Sequence, residues 1–181
     1  MHHEPKLKEM YSFVIGSVLQ YVNRLHIDSN LFEFNFVKSW LNVTNGMSNP
    51  QHNHRDAHIS FVYYMNVPEN NKRSIRFFNH VHRHEPFAGS FLFSNPTNTF
   101  DQYNSGNFML PPEEGMLLVF PASLDHDVVG DDQLRVLKRN TIQELNKCRI
   151  SVAGDILMTF KDLQAKPLGL QPITNWRRFN P

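Results

Sequence analysis

The sequence predicts a mainly β domain with one flanking helix, built as a sandwich or barrel. Short apolar runs rich in β-branched and aromatic residues recur from Ile59 onward, and Asn, Pro and Gly bound them. Helical periodicity is strong only near the start, and 181 residues with 40% hydrophobic content and 15 Phe suit a single sizeable core. Residues 1–30 carry the helix: Met10, Phe13, Val14, Val18, Leu19, Val22 and Leu25 recur at spacings of three and four and share one face. The β core is expected over residues 36–160. A short strand at 40–43 ends in the turn signals Asn45-Gly46 and Ser48-Asn49-Pro50. Further strands follow at 59–67 (ISFVYYMNV), 74–78, 90–93 and 116–120, and residues 150–159 (ISVAGDILMT) supply one or two closing strands. Residues 131–147 interrupt this spacing with a polar, weakly helical stretch, read as an insertion that is either a lid or a solvated excursion. Residues 161–181 form an irregular strap in which Trp176 packs on the body, with Arg177 and Arg178 beside it.

A formal net charge of +1 suggests neither nucleic acid nor an anionic membrane as a partner. No apolar run reaches the roughly 18 residues of a membrane span, and the first residues lack the pattern of a secretion signal. A cytoplasmic protein is expected. Cys148 is the single cysteine, so an internal disulfide and a thiolate cluster are excluded, and any metal must be held by histidine and carboxylate.

Histidine is the compositional outlier, with ten copies concentrated between His52 and His84 and recurring at His126. His52 and His54 are two apart, so at a strand end both point to one side and can reach one ion. His126 brings a third imidazole from another strand end, in GMLLVFPASLDHDVV, and Arg149 opens RISVAGDI shortly afterwards. Two histidines and a carboxylate on one face of an iron(II) ion, with open positions opposite, are the common ligand set of non-haem oxygenases. Asp56 is the nearby carboxylate that competes with His52 for a place in such a set, as the pair His54 and Asp56. His58, His80, His82 and His84 are read as non-ligands. The last three alternate as a second metal site would, but they stand beside Arg83 and Glu85 in a polar stretch that reads as a loop.

The stretches 49–65 (NPQHNHRDAHISFVYYM), 120–126 (FPASLDH) and 149–156 (RISVAGDI) resemble the iron(II) and 2-oxoglutarate dependent oxygenases, particularly a branch common in bacteriophage genomes. The resemblance implies a double-stranded β-helix, the cupin-like jelly roll, with the metal at its open end. It implies iron(II), 2-oxoglutarate and dioxygen as cofactor and co-substrates, ascorbate as a support, and oxidative decarboxylation of 2-oxoglutarate coupled to substrate oxidation.

In that family a glycine commonly precedes the first ligand by six residues, and Gly46 stands in that relation to His52. The set His52, His54 and His126 is therefore preferred to one containing Asp56, which would also leave almost no chain to turn into the strand at Ile59. His54 occupies a position where the family usually has Asp or Glu. Three neutral imidazoles would leave the iron more positively charged than the usual set.

By the same resemblance Arg149 anchors the distal carboxylate of 2-oxoglutarate through two parallel charge-assisted bonds. Ser151 adds a hydroxyl from the same strand face, and Tyr64, inward with Ser60 and Val62, adds a phenol. The bland alternatives are that Tyr63 and Tyr64 are packing aromatics and that Arg149 pairs with Asp155 or another acid. Two rival functions remain: a cupin-like metalloprotein that does not use 2-oxoglutarate, and a non-catalytic jelly-roll structural protein. The substrate, a small molecule or a peptide, is not legible, because the loops at 69–73, 95–107 and 131–147 carry no diagnostic motif.

Overall fold

The computed structural model describes residues 4–44, 47–78, 107–128 and 145–161. The expectations for Gly46, the strand at 90–93, the alternating His80, His82 and His84, most of the 131–147 insertion and the strap with Trp176 lie outside these residues.

One helix, α1 (Lys8–Arg24), precedes eight strands: β1 (Phe32–Thr44), β2 (Asn49–His52), β3 (Ile59–Asn66), β4 (Ile75–Phe78), β5 (Asn107–Leu110), β6 (Leu117–Pro121), β7 (His126–Val128) and β8 (Arg149–Phe160). They form two four-stranded antiparallel sheets in the orders β1-β8-β3-β6 and β2-β7-β4-β5. The mainly β expectation with a flanking helix therefore holds. Three elements, β1, β2 and β5, differ from the sequence reading, β2 because it takes in Asn49 and Pro50, which read as turn formers. β1 begins at Phe32 and runs well beyond the four residues expected; Phe32, Phe34 and Phe36 alternate with Glu33 and Asn35, a period-two signal that the sequence reading passed over, and the strand pairs with β8 along its length. The closing segment, expected as one or two strands, is one strand of 12 residues. β5 begins at the last residue of the loop read over 95–107, was not read as a strand, and is one by pairing with β4.

Period-two alternation on β3 and β8 separates two cores. Ile59, Phe61, Val152, Ile156 and Met158 pack with Phe32 and the helical residues Tyr11, Val14, Val18 and Val22. Val62, Tyr64, Ile75, Phe77, Phe120 and Ala153 form a second cluster that joins residues of both sheets. The buried helical stripe corrects the sequence reading, since Phe13 and Leu25 remain exposed while Tyr11 is buried. A tyrosine with an apolar ring and a polar tip can enter a core when its hydroxyl finds a partner, and the Tyr11 and Ser39 hydroxyls are 2.5 Å apart. The Phe13 ring instead meets Tyr63 edge-on, with centroids 6.2 Å apart. Among the described residues no helix is long and apolar enough to cross a membrane.

Gly154 lets β8 approach both neighbours. A β-carbon there would lie 2.6 and 2.8 Å from two ring atoms of Phe61 and 2.9 Å from the Lys38 carbonyl oxygen. Phe61 is held in the helix-side core and the carbonyl belongs to the backbone, so neither can yield cheaply. Gly154→Ala is expected to cost about 1–3 kcal/mol by overpacking, read as a lower denaturant midpoint at unchanged slope.

Candidate metal and anion site

The turn after β2 and the start of β7 bring three imidazoles together. His52 ends β2 and lies directly opposite His126, which opens β7. His54, two residues further on, is fixed by its backbone N–H, which donates to the Ala122 carbonyl at 2.8 Å. One ring nitrogen from each histidine lies within 4.8 Å of the other two.

The second nitrogen of each ring is already engaged. His52 Nδ1–H donates to the Pro50 carbonyl at 2.8 Å, His126 Nδ1–H to the Leu124 carbonyl at 2.9 Å, and His54 Nδ1–H to Asp155 Oδ1 at 2.6 Å. These bonds select the tautomer in which Nε2 is unprotonated and available to a metal. Burial pushes the pKa of His126 down to about 4, and the neighbouring His52 and His54 press the same way against the hydrogen bond to Leu124. The ring is consequently neutral near pH 7, as a ligand must be. Phe120 meets it at 5.0 Å between ring centroids and restrains its orientation.

Asp56 does not join this cluster. Its side chain is 69% exposed and its Oδ2 lies 3.5 Å from Lys38 Nζ. The chain between His54 and Ile59 is too short to return Asp56 inward while delivering His58 to the sheet, where His58 Nδ1 accepts the Met158 backbone N–H at 3.0 Å. His58 lies outside the three-imidazole cluster, and burial lowers its pKa.

The imidazoles share a cavity of about 230 Å³ with Arg149, Ser151, Tyr64 and Thr44. Arg149 and Ser151 alternate along β8, Thr44 faces Arg149 across β1, and Tyr64 faces Ser151 across β3. Arg149 is only 6% exposed, and its guanidinium donates to the Arg73 carbonyl at 2.9 Å. Burial lowers its pKa, with the Tyr64 phenol opposing and the Arg73 charge assisting, yet a guanidinium stays charged under these pressures. Among the described residues no carboxylate forms an ion pair with Arg149, so the alternative pairing with Asp155 is not adopted. A buried cation beside a polar cavity is suited to an anionic ligand.

Asp155 instead stands behind one of the imidazoles, His54, and the sequence reading missed this role. It is fully buried, accepts from Ser60 Oγ at 2.7 Å and from His54, and its Oδ2 lies 3.1 Å from Lys38 Nζ. Burial opposes its ionisation, but the hydrogen bonds from His54 and Ser60 and the nearby Lys38 outweigh that effect and hold the carboxyl below its ordinary pKa. A signal was present: Arg149, Ser151, Ala153 and Asp155 alternate, which assigns all four to one face of a strand.

A sandwich carrying a three-histidine cluster beside a buried arginine defines a candidate metal-dependent enzyme of the jelly-roll class. The family model described as "Putative 2OG-Fe(II) oxygenase" matches residues 38–136, and the chain belongs to that family. Family membership implies iron(II), 2-oxoglutarate and dioxygen. The donor set fits a metal ion, since three imidazoles converge with their Nδ1 protons engaged elsewhere.

Among solved structures, the chain is similar to a non-heme monooxygenase, the ThoJ-Ni complex, at 9% identity and TM-score 0.42, covering 71% of this chain and 47% of that one. It is also similar to SnoN, a non-heme alpha ketoglutarate dependent epimerase from nogalamycin biosynthesis, at 12% identity and TM-score 0.43, covering 77% and 57%. An RmlC-like cupin protein from Desulfovibrio desulfuricans is similar at 12% identity and TM-score 0.33, covering 71% and 85%. The chain thus spans about half the length of the first two. No curated protein matches.

Proposed function

We propose that this chain is an iron(II) and 2-oxoglutarate dependent oxygenase in which His52, His54 and His126 hold the metal and Arg149, Ser151 and Tyr64 hold the co-substrate. The observation that carries the reading is the placement of a buried guanidinium, without a carboxylate ion-pair partner among the described residues, in the same cavity as three imidazoles. Arg149 and Ser151 lie beyond the residues matched by the family model, so their role rests on this geometry.

Iron and 2-oxoglutarate, when bound, supply dioxygen activation through oxidative decarboxylation to succinate and carbon dioxide, and with it the means to oxidise an unactivated carbon. The protein's own part is positional. The Nδ1 hydrogen bonds keep three Nε2 lone pairs directed at one point. Arg149 offers a planar pair of donors to a carboxylate, Ser151 adds a hydroxyl beside it, and the phenol of Tyr64, its pKa raised by burial against the pull of Arg149, stays protonated and able to donate. The substrate is a small molecule or a peptide of class still open to search. A cytoplasmic setting accords with a single, buried cysteine.

The test is anaerobic addition of iron(II) and 2-oxoglutarate to the metal-free protein. A weak visible charge-transfer band of chelated 2-oxoglutarate is expected. Bound iron without the band would favour the cupin-like reading.

A further inference from the structure

We infer that Asp155 is a positioning residue for the metal site, a carboxylate set one hydrogen bond behind His54 that orients this imidazole and strengthens it as a ligand. The inference rests on the three-imidazole reading proposed above and assigns a function to a residue outside that set.

The three histidines are not equivalent. His52 and His126 donate their Nδ1 protons to neutral backbone carbonyls, whereas His54 donates to a carboxylate, and at the shortest distance of the three. A carboxylate behind an imidazole draws the Nδ1 proton toward itself, raises electron density at Nε2 and strengthens the bond to a metal. In a set of three neutral ligands this is the route by which a negative charge can reach the ion without occupying a coordination position.

The arrangement is built into the sheet. β8 lies between β1 and β3, Asp155 is the register partner of Lys38 on one side and of Ser60 on the other, and both partners contact its carboxylate. Ser60 Oγ–H and His54 Nδ1–H both converge on Oδ1, so the carboxylate cannot rotate without losing both bonds. Lys38 Nζ lies beside Oδ2, with its side chain 45% exposed and shared with Asp56. Its positive charge draws electron density away from His54 and therefore opposes the effect of Asp155 on the ligand.

This opposition yields a test that a merely structural carboxylate would not pass. Cobalt(II) is titrated into the metal-free protein and its d–d absorption gives the affinity for the wild type, Asp155→Asn, Lys38→Met and His126→Ala. Asp155→Asn keeps an oxygen to accept from His54 but removes the charge, and should weaken cobalt binding by about 10–100-fold while the metal-free protein melts near the wild-type temperature. Lys38→Met should bind cobalt at least as tightly as the wild type. Wild-type affinity in Asp155→Asn, or an equal weakening in Lys38→Met, overturns the inference. His126→Ala separates this from the reading beneath it: if that variant binds cobalt normally, the three-imidazole site itself fails, and if it does not while Asp155→Asn binds normally, only the inference fails. Should Asp155→Asn not fold, long-range nitrogen–proton NMR of the imidazoles in the wild type decides. His54 carrying its proton on Nδ1 supports the inference, and His54 carrying it on Nε2 overturns it.

Discussion

His126→Ala is expected to lose iron(II) binding by more than about 100-fold, since removal of a partner one bond behind a ligand already costs about 10–100-fold. The side chain stands opposite His52 across β2 and β7, and among the described residues the cluster holds no fourth group to replace its nitrogen. The charge-transfer band of chelated 2-oxoglutarate should vanish with the metal. A second readout needs no metal. In the unfolded chain this imidazole binds a proton below pH 6.5, whereas in the fold burial holds it neutral down to about pH 4. The unfolded state therefore binds more protons across that window, and stability of the metal-free protein falls as the pH drops through it, by on the order of 3 kcal/mol from this one group. Urea unfolding at pH 7 and pH 4.5 should show a smaller difference for His126→Ala than for the wild type. An undiminished acid-side loss would mean that another group carries it.

Arg149→Ala is expected to leave iron(II) affinity intact and to weaken 2-oxoglutarate by about 100-fold or more, from about 1.5–3 kcal/mol for each of two charge-assisted bonds. The separation of the two effects is the point of the variant. Arg149 comes from β8 and the imidazoles from the β2 and β7 side of the cavity, so loss of the guanidinium does not remove a metal ligand. Arg149→Lys should recover little, because an ammonium cannot present two parallel donors and its shorter reach leaves the Arg73 carbonyl without the bond it now accepts. Unchanged 2-oxoglutarate affinity in Arg149→Ala would favour an enzyme of the same fold that uses no 2-oxoglutarate. The measurement is a titration of the visible band, or of succinate formation uncoupled from substrate.

Much of the β architecture was legible because the core strands are also the most regular in sequence. Residues 59–67, 74–78 and 116–120 each combine apolar and β-branched residues between turn formers, and each coincides with a strand to within a residue or so at its ends. β5 was not legible, and the first part of β1 was passed over although Phe32, Phe34 and Phe36 alternate with polar residues. The strand state of β5 depends on its pairing with β4, a partner about 30 residues away in the chain. The helix was found, but its buried stripe was misplaced, because counting only aliphatic and Phe positions passed over Tyr11, whose hydroxyl reaches Ser39.

By itself the sequence determined the chemical inventory and its local geometry. It contains a histidine pair at spacing two, a third histidine after an apolar strand, an arginine and serine alternating on one strand face, and a single cysteine, too few for a thiolate cluster. Such features depend on neighbours a few residues apart and on the period of two that any strand imposes. Tertiary structure decided which of these groups meet. The direct pairing of His52 with His126, the outward turn of Asp56 to Lys38, and the placement of Asp155 behind His54 instead of beside Arg149 all depend on the register of strands distant in sequence. Register is set by the packing of whole sheet faces, and a shift of one residue would send the strand residues His52, His126 and Asp155 to the opposite face.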